Sequence, residues 1–513
     1  MPTLPFPARL ATTLATAMFG MLRDDPQEFA RKVKERIRLA DLPVLSPVLN
    51  KYVPADSEVS PQRLLVKQGK LSEAVRYSGA DRSELIARRA QETYDQLRAP
   101  IVPGMQLSSH NAESSDQHEE PRVLFYLNNS LPHTQSGYTE RSHNILTALK
   151  KQGVILHVVT RLGYPLLVGK VPRRSIELVD GIPYERLIPT VYPRTLQARD
   201  DEAVQQLVKV AKRFRPTILH TTTEYKNAII VSRAAKILGI PWIYEVRGEL
   251  ESTWLSRFPD SEQQKQQQSE FYQLAHAQET AAMKAASAVV SLSEVSKKAM
   301  VSRGVEREKI IVVPNAVDES LIGKKYNQEE IRKELGLPNT TIIGTVTSVV
   351  GYEGLDDLIR ATALLPDVTC LIVGDGTARP ELEKLTRDLR LSDRVIFAGR
   401  QPRESIWKWY AALDIFVIPR KDTPVTRVVT PIKALVAQAL NKPVITSMLP
   451  ALIEITFNSG RYIPPEDPFE LARCIIDNDF FKETNFNYPN KTWSYRCADL
   501  ANFYIGLSIK TSY

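Results

Sequence analysis

Four basic side chains lie in one short stretch of the second half of the chain, in a polar loop and on the first turn of the helix predicted after it: Arg420, Lys421, Arg427 and Lys433. Thr430 offers an N-cap oxygen and Pro431 fits the first helical position, so the helix is predicted to start there. A lysine near a helix N-terminus is unfavourable alone, because that end already carries partial positive charge. With Asp422 as the loop's one acid, the cations predict a bound multivalent anion; a solvated basic loop is the alternative.

The elements that must position these cations form a strand–helix–strand unit. Residues 415–418 (IFVI) are a short apolar run, suited to a strand buried on both faces. The helix buries one face, because four apolar residues recur at helical spacing: Ile432, Leu435, Ala439 and Leu440. Residues 444–446 are the next strand, which completes a βαβ unit. A helix N-terminus that follows a strand of a parallel sheet is a ready phosphate site.

The same alternation of strand and helix extends over most of the chain. Apolar runs predict strands at 123–128, 155–160, 218–222, 241–248, 288–293, 310–318, 341–349, 368–376 and 394–399, with helices between them. A polar connection at 326–338 separates two such series. The chain is therefore predicted to be α/β, with two Rossmann-like, doubly wound parallel-sheet domains facing a cleft and a helical extension at the N-terminus.

The predicted domain organisation has five parts. They are a helical extension (1–105), a flexible linker (106–121), a first Rossmann-like domain (122–320), a second one (321–490), and a C-terminal helix (491–513) that crosses back to the first domain. Within them, 64–77 and 82–97 are predicted as a helical pair and 262–286 as one long helix. The basic amphipathic segment 27–42 fits a helix on a membrane surface or a packed helix with a wet basic face.

Composition limits the classes of function. The net charge is +8 and the isoelectric point is about 9.1, which suggests an anionic partner. Nucleic acid, anionic lipid and sugar nucleotides all qualify, and nucleic acid is the least supported because the sequence has no basic-aromatic platform or zinc pattern. Three cysteines are too few and too scattered for a disulfide framework or a zinc site, and no apolar run approaches the roughly 20 residues of a membrane span. These features predict a protein of the reducing cytoplasm without a zinc site, with or without contact to the inner membrane face.

Other loops could also carry chemistry. Ser136-Gly137-Tyr138 follows the first strand and precedes a helix, so either a phosphate or sugar approaches its backbone or it is a tight turn. Gly374 and Gly376 end another strand and leave the same two readings. Three charged residues lie at or just after the end of the strand at 241–248, where they are site residues or a surface ion pair: Arg247, Glu249 and Glu251. His133 and His143 are interpreted as structural.

Taken together, these residues resemble family 4 of the glycosyltransferases, retaining sugar-nucleotide enzymes of the GT-B fold. The resemblance covers about residues 122–510. It rests on SGYTERSHNIL (136–146), TRLGYP (160–165), YEVRGELE (244–251), SLSEVSKKAM (291–300), VVPNAVD (312–318), YEGLDDLI (352–359), IVGDG (372–376) and IPRKDTPVTRVVTPIKAL (418–435). The motifs look closest to the bacterial surface-polysaccharide members of the family.

The resemblance implies that the second domain holds a nucleoside-diphosphate sugar and needs no metal or other cofactor. Arg420 and Lys433 would act as catalytic cations on the leaving diphosphate. The implied donor-binding residues are Ser136, Gly137, Ser348, Gly374, Gly376, Arg427, Thr430 and the position of Val436. The acceptor, a glycan or a lipid-linked sugar, would bind beside Glu224, Arg247 and Glu249.

Two pairs of positions depart from the family pattern. The family's two donor-site glutamates, eight residues apart, stand here as Val428 and Val436, and the Arg and Lys of its first loop stand as Ser348 and Glu353. Valine cannot accept a ribose hydrogen bond, and losing one to a charged group costs roughly 1.5–3 kcal/mol. The predicted function is glycosyl transfer in envelope polysaccharide assembly. The alternatives are a non-catalytic GT-B binding or partner subunit and, with less support, a GT-B epimerase.

Overall fold

Short apolar strands and amphipathic helices alternate along the chain, as their sequence pattern predicts. The computed structural model describes residues 5–24, 60–80, 82–106, 120–477 and 489–511. The strands are β1 Arg122–Leu127, β2 Ile155–Thr160, β3 Ile176–Val179, β4 Ile182–Arg186, β5 Ile218–Thr222, β6 Trp242–Glu245, β7 Ala288–Ser291, β8 Ile310–Val312, β9 Thr341–Val346, β10 Val368–Val373, β11 Val395–Gly399, β12 Ile415–Ile418, β13 Val444–Ser447 and β14 Arg461–Ile463.

The helices precede, connect and follow these strands. They are α1 Phe6–Asp24, α2 Pro61–Lys67, α3 Leu71–Arg76, α4 Glu84–Leu97, α5 Gly137–Lys151, α6 Leu196–Phe214, α7 Tyr225–Leu238, α8 Leu250–Leu255, α9 Asp260–Gln266, α10 Glu270–Ala285, α11 Glu294–Ser302, α12 Gln328–Glu334, α13 Leu355–Ala363, α14 Arg379–Asp388, α15 Ile406–Ala412, α16 Pro424–Val428, α17 Lys433–Ala439, α18 Pro450–Ile455, α19 Pro468–Ile476, α20 Trp493–Arg496 and α21 Ala498–Thr511.

The first sheet has eight strands in the order β3-β4-β2-β1-β5-β6-β7-β8. β1 pairs in parallel with β2 and β5, and its residues from Val123 onward are buried because helices cover both faces. One antiparallel hairpin, β3–β4, was not predicted. Its turn is Asp180-Gly181, both with positive φ (50° and 72°), which is the backbone of a tight two-residue hairpin.

The second sheet has six strands in the order β11-β10-β9-β12-β13-β14, each paired in parallel with its neighbours. Apolar residues of these strands and of the flanking helices form two buried clusters, centred on Ile343 and Val417 and on Phe416 and Leu435. Two parallel sheets with flanking helices confirm the predicted GT-B fold class.

The chain divides into two compact units. One comprises residues 1–134, 154–289 and 504–513, and the other comprises residues 135–153 and 290–503. The predicted domain boundaries, the cleft and the crossing C-terminal helix stay predictions. The linker prediction and the basic segment 27–42 fall mainly or wholly on residues 107–119 and 25–59, which lie outside the described residues.

Helices α2–α4 pack on α7 and α10 in the first unit. Leu71, Ala74, Ala90 and Leu97 share a buried cluster with Tyr225, Ile229 and Ala275. The predicted single helix at 64–77 is wrong: Gly69 (φ +74°) breaks it, and its carbonyl accepts from the Phe271 backbone N–H at 2.9 Å. None of the helices in the described ranges is both long and apolar enough to cross a membrane.

The long helix predicted at 262–286 is also two helices, α9 and α10. The chain leaves helical geometry after Gln266, and Ser269 becomes the N-cap of α10, its hydroxyl accepting from the Tyr272 backbone N–H. The contact between Gly69 and Phe271 fixes this new start. The cap at Ser269 and the contact with the loop at Gly69 therefore interrupt the helix, although the sequence pattern of this segment is continuously helical.

Candidate functional site

The candidate site lies at the carboxyl edge of the second sheet, where three parallel strands end side by side. Thr347 follows β9, Arg420 follows β12, and Ser447 ends β13. Parallel strands all present their carboxyl ends to the same edge, so residues far apart in sequence meet there. Lys433 joins them from the first turn of α17.

Arg420 and Lys433 converge on one point, the carboxylate of Glu353. Glu353 Oε1 accepts from Arg420 Nη2 at 2.9 Å, and Glu353 Oε2 accepts a short bond from Lys433 Nζ. All three are buried, with exposures of 6% (Arg420), 6% (Lys433) and 4% (Glu353). Lys433 Nζ also donates to Thr347 Oγ1 at 2.7 Å. The premise that these cations face no acid but Asp422 is therefore wrong.

The electrostatics of this triad follow from burial and charge count. Burial would raise the pKa of Glu353, but the nearby Arg420 and Lys433 outweigh it and hold the pKa at about 2. Burial lowers the pKa of Lys433 to about 8 against the attraction of Glu353, and Arg420 adds to the lowering. Two cations and one carboxylate leave one excess positive charge in a buried site. An anion bound beside Lys433 would raise its pKa again.

The other two cations of the loop do not join this triad. Lys421 pairs with Asp356 at 3.0 Å, and Arg427 pairs with Asp422 through two contacts of 2.5 and 2.6 Å. The Arg427 side chain is 55% exposed, so its ion pair is a surface one. The predicted cluster of four cations is thus a buried pair around Glu353 and two separate ion pairs.

The start of the helix differs from the prediction. Lys433 is the first residue of α17 and Ile432 its N-cap, so Thr430 does not cap and Pro431 is not the first helical residue. The Thr-Pro start occurs seven residues earlier, where Thr423 caps the short α16 and Pro424 opens it. The loop contained two Thr-Pro pairs, and the pattern alone did not distinguish them.

Three polar atoms at this edge have no hydrogen-bond partner among the described residues: Arg420 Nε, Thr430 Oγ1 and Ser447 Oγ. All three side chains are buried. A buried polar group without a partner costs about 1–3 kcal/mol, which proteins rarely tolerate unless a ligand or water completes the bond. These three atoms can therefore bond a water molecule or a polar ligand.

Close contacts between two backbone segments explain why Gly374 and Gly376 are glycines. Gly374 has φ +136°, and a Cβ there would lie 1.8 Å from the Thr347 carbonyl oxygen; a Cβ on Gly376 would lie 2.2 Å from that of Val349. Both therefore allow the loop after β10 to pack against the loop after β9, which contains the exposed Ser348. Contact of these three residues with a donor stays a prediction.

Ser136 and Gly137 begin α5, a 15-residue helix in the same unit as the triad. Ser136 and Thr139 form a capping box, and a Cβ on Gly137 would meet nothing within 4 Å. The N-terminus of α5 is thus well capped, and Gly137 leaves open space in front of it. An approach of phosphate to this turn stays a prediction.

Val428 ends α16, and Val436 lies on α17, partly buried against the apolar cluster of the second unit. In the part of the chain that the structure describes, no group of three His, Cys, Asp or Glu side chains could hold a metal ion. All three cysteines are buried and free.

The residues predicted for the acceptor meet at the carboxyl edge of the first sheet. Glu224 follows β5 and pairs with Lys226 at 3.1 Å. Arg247 follows β6 and is buried against Glu245 at 2.5 Å, while Glu249 accepts from Ser252 Oγ at 2.6 Å. β5 and β6 are neighbours in the sheet, which brings the three predicted residues to one edge.

Glu353 and Glu279 are among the buried carboxylates that sequence reasoning missed. Glu353 was noted only as a departure from a pattern, although its place after β9 marks the same sheet edge as Arg420. Glu279 on α10 accepts from Tyr244 Oη at 2.6 Å and from the Tyr225 backbone N–H at 2.7 Å. Burial raises the pKa of Glu279 to about 8. No sequence signal marks it, because it lies in a polar helix.

Two family models match this chain. Residues 136–316 match a glycosyl transferase 4-like domain, and residues 338–477 match glycosyl transferases group 1. The chain is 28% identical over 288 residues to 2-deoxystreptamine glucosyltransferase of Streptomyces kanamyceticus, which is 53% of this chain and 72% of the relative. It is 35% identical over 99 residues to the lipopolysaccharide core biosynthesis glycosyltransferase LpsE of Rhizobium meliloti, which is 19% of this chain and only 28% of that relative.

A solved structure shares the fold. The crystal structure of HepE from Anabaena in complex with UDP superposes with a TM-score of 0.52 at 18% identity, covering 76% of this chain and 98% of the other. At that identity the similarity concerns the fold alone.

The buried triad predicts an unequal effect of two substitutions. Glu353→Gln leaves two buried cations without a carboxylate and should lower the free energy of unfolding by about 3 kcal/mol. Lys433→Met leaves a balanced Arg420–Glu353 pair and should cost about 1 kcal/mol or less. Denaturation of both variants and wild type at pH 7 measures the difference.

The pH dependence of the free energy of unfolding tests the same charge balance. The pKa of Glu353 is lowered from 4.5 to about 2, so its stabilisation is present above pH 4.5 and is lost as the pH falls toward 2. The difference between wild type and Glu353→Gln should shrink over that window. A larger cost for Lys433→Met than for Glu353→Gln would contradict the charge balance described above.

Thr430 allows a test in which stability and binding move apart. Thr430→Val removes an unpartnered buried hydroxyl with little change of shape, so the free energy of unfolding should stay within about 1 kcal/mol of wild type or rise. Affinity for the nucleoside-diphosphate sugar predicted from the sequence should fall several-fold if that hydroxyl serves this ligand. Thr386, whose buried hydroxyl donates to the Leu382 carbonyl at 2.9 Å, gives the matched control. Thr386→Val should lower the free energy of unfolding and leave the affinity unchanged. If Thr430→Val instead lowers the free energy of unfolding and leaves the affinity unchanged, Thr430 is not part of the site.

Proposed function

We propose that this chain, in which residues 136–316 and 338–477 match glycosyl transferase family models, is a retaining glycosyltransferase of the GT-B, family 4 type. It moves a sugar from a nucleoside-diphosphate sugar to a glycan or lipid-linked acceptor in cell-envelope polysaccharide biosynthesis. The observation that carries this proposal is the convergence of Arg420 and Lys433 at the sheet edge, with an excess positive charge and unpartnered polar atoms beside them.

The proposed chemistry follows from that charge. As the bond from sugar to diphosphate breaks, negative charge develops on the leaving phosphate, and preorganised cations in a buried site stabilise it. Arg420 Nε has no partner within the described residues and is available to a phosphate oxygen. A bound anion would keep Lys433 protonated, because it would raise the pKa of that side chain. The proposal needs no metal for this step.

The remaining partners are proposed on separate grounds. The acceptor binds beside Glu224, Arg247 and Glu249, at the carboxyl edge of the first sheet. The lipopolysaccharide role of one relative supports an envelope acceptor, and the UDP complex of a structural neighbour supports a nucleotide donor. A cytoplasmic location and contact with the inner membrane face through the N-terminal helices are part of the same proposal. On α1, Leu14, Met18 and Phe19 are exposed apolar residues, with Phe19 at 63%.

A second candidate function is a non-catalytic member of the fold that binds a sugar nucleotide or a partner subunit. Val428 and Val436 favour it, because the family's two donor-site carboxylates are absent at these positions. The two candidates agree on binding and differ on turnover. Binding of a sugar nucleotide without release of nucleoside diphosphate, with or without an acceptor extract, would support the second.

The donor site is tested by calorimetric titration with sugars carried on uridine, guanosine and thymidine diphosphate. We expect wild type to bind at least one of them and Lys433→Met to bind it about tenfold or more weakly, since a charged hydrogen bond contributes roughly 1.5–3 kcal/mol. Val436→Glu, which restores the family's carboxylate, should bind it more tightly by a similar factor.

Arg473 supplies the control for these titrations. Its side chain is 73% exposed and pairs with Glu470 on the surface helix α19. Arg473→Ala should bind as wild type does, which separates the loss of one positive charge from the loss of this site. If wild type binds none of the sugar nucleotides, the proposed function is wrong.

A further inference from the structure

Asn315 connects the first turn of α5 to the loop that carries Thr430. Its side-chain Nδ2 donates to the Thr430 carbonyl at 2.8 Å, and its Oδ1 accepts from Arg141 Nη1 at 3.0 Å. The side chains of Asn315 and Arg141 are both buried. The two bonds fix the amide, because only the oxygen can face Arg141 and only the nitrogen can face the carbonyl.

Arg141 is itself held from several sides. It lies on α5, one turn after Gly137, and its Nη2 donates to the Val313 carbonyl at 2.7 Å. Its guanidinium lies over the ring of Trp493, 5.7 Å from the centroid. The neighbouring Glu140 pairs with Arg403 at 2.9 Å. The first turn of α5 is therefore anchored by two adjacent residues.

From these contacts we propose that Arg141 and Asn315 are positioning residues of the donor site. They set the peptide of Thr430 relative to the first turn of α5, so that the unpartnered Thr430 hydroxyl and Lys433, three residues on, hold one position. This inference rests on the proposed function for the identity of the ligand, a nucleoside diphosphate. The contacts themselves exist without it.

Asn315→Asp tests the link with almost no change of shape. An aspartate still accepts from Arg141, now as a buried ion pair, but it cannot donate to the Thr430 carbonyl. A merely structural role predicts a lower free energy of unfolding and an unchanged affinity for uridine diphosphate, because the Thr430 carbonyl loses its buried donor. The proposal predicts that the Thr430 loop is released and that affinity for uridine diphosphate also falls about tenfold.

A matched control lies at the other end of the same helix. Gln152 Nε2 donates to the Ser494 carbonyl at 2.7 Å, the same type of bond made by the same type of group. Gln152→Glu removes that donor without touching Arg141, Asn315 or Thr430. It should leave the affinity for uridine diphosphate and the behaviour of the Thr430 loop as in wild type.

Hydrogen exchange of the ligand-free protein tests the link between Asn315 and the Thr430 loop without a binding measurement. Amides of residues 428–436 should exchange about tenfold faster in Asn315→Asp than in wild type, and those of β9 should not change. Unchanged exchange at 428–436 overturns the proposal, whatever the titration shows. If exchange rises but wild type binds no nucleoside diphosphate, the link stands and the proposed function fails. If exchange rises and affinity is unchanged, the residues do not position the donor site and the proposal is overturned.

Discussion

A single carboxylate holds the candidate site together. Glu353 is buried between Arg420 and Lys433, and neither of those cations could be kept away from water at that depth without it. The three residues come from loops after β9 and β12 and from the start of α17. Their mutual attraction therefore fixes three separate segments of backbone at one edge of a parallel sheet, and the rest of the site is built on those segments.

The backbone around Glu353 is shaped to permit this approach. Gly354, the next residue, has φ +67°, and a Cβ there would lie 1.8 Å from the Pro419 carbonyl oxygen. On the other side, the Tyr352 carbonyl accepts from the Lys421 backbone N–H at 3.1 Å. The loop after β9 and the loop after β12 are thus in direct backbone contact, and only glycine fits at the closest point. The charge attraction at Glu353 and the absence of a side chain at Gly354 therefore bring the same two loops together.

Much of this architecture was predictable from sequence, for a physical reason. β2, β5 and β12 begin and end at the predicted residues, because each is a short run rich in β-branched and other apolar residues. The hairpin β3–β4 was missed although Asp180-Gly181 is a turn signal, since its strands are short and partly exposed. The helix at 262–286 was predicted as continuous because its break depends on Gly69, about 200 residues away in sequence.

The site itself was predicted in part. The positions of Arg420 and Lys433 follow from the rule that parallel strands present their loops at one edge. Their partner did not, because Glu353 lies 67 residues before Arg420 and sequence spacing carries no information about that pairing. Likewise, no local pattern distinguishes Thr423-Pro424, which starts a helix, from Thr430-Pro431, which does not.

The placement of Glu353 has a consequence for how the site responds to salt. Two exposed cations would gather small anions from the buffer, and any ligand would first have to displace them. Here the protein supplies its own counter-ion, buried and covalently attached, so only the one excess charge attracts anions from solution. The affinity of this edge for a diphosphate therefore depends less on ionic strength than that of an open pair of cations would.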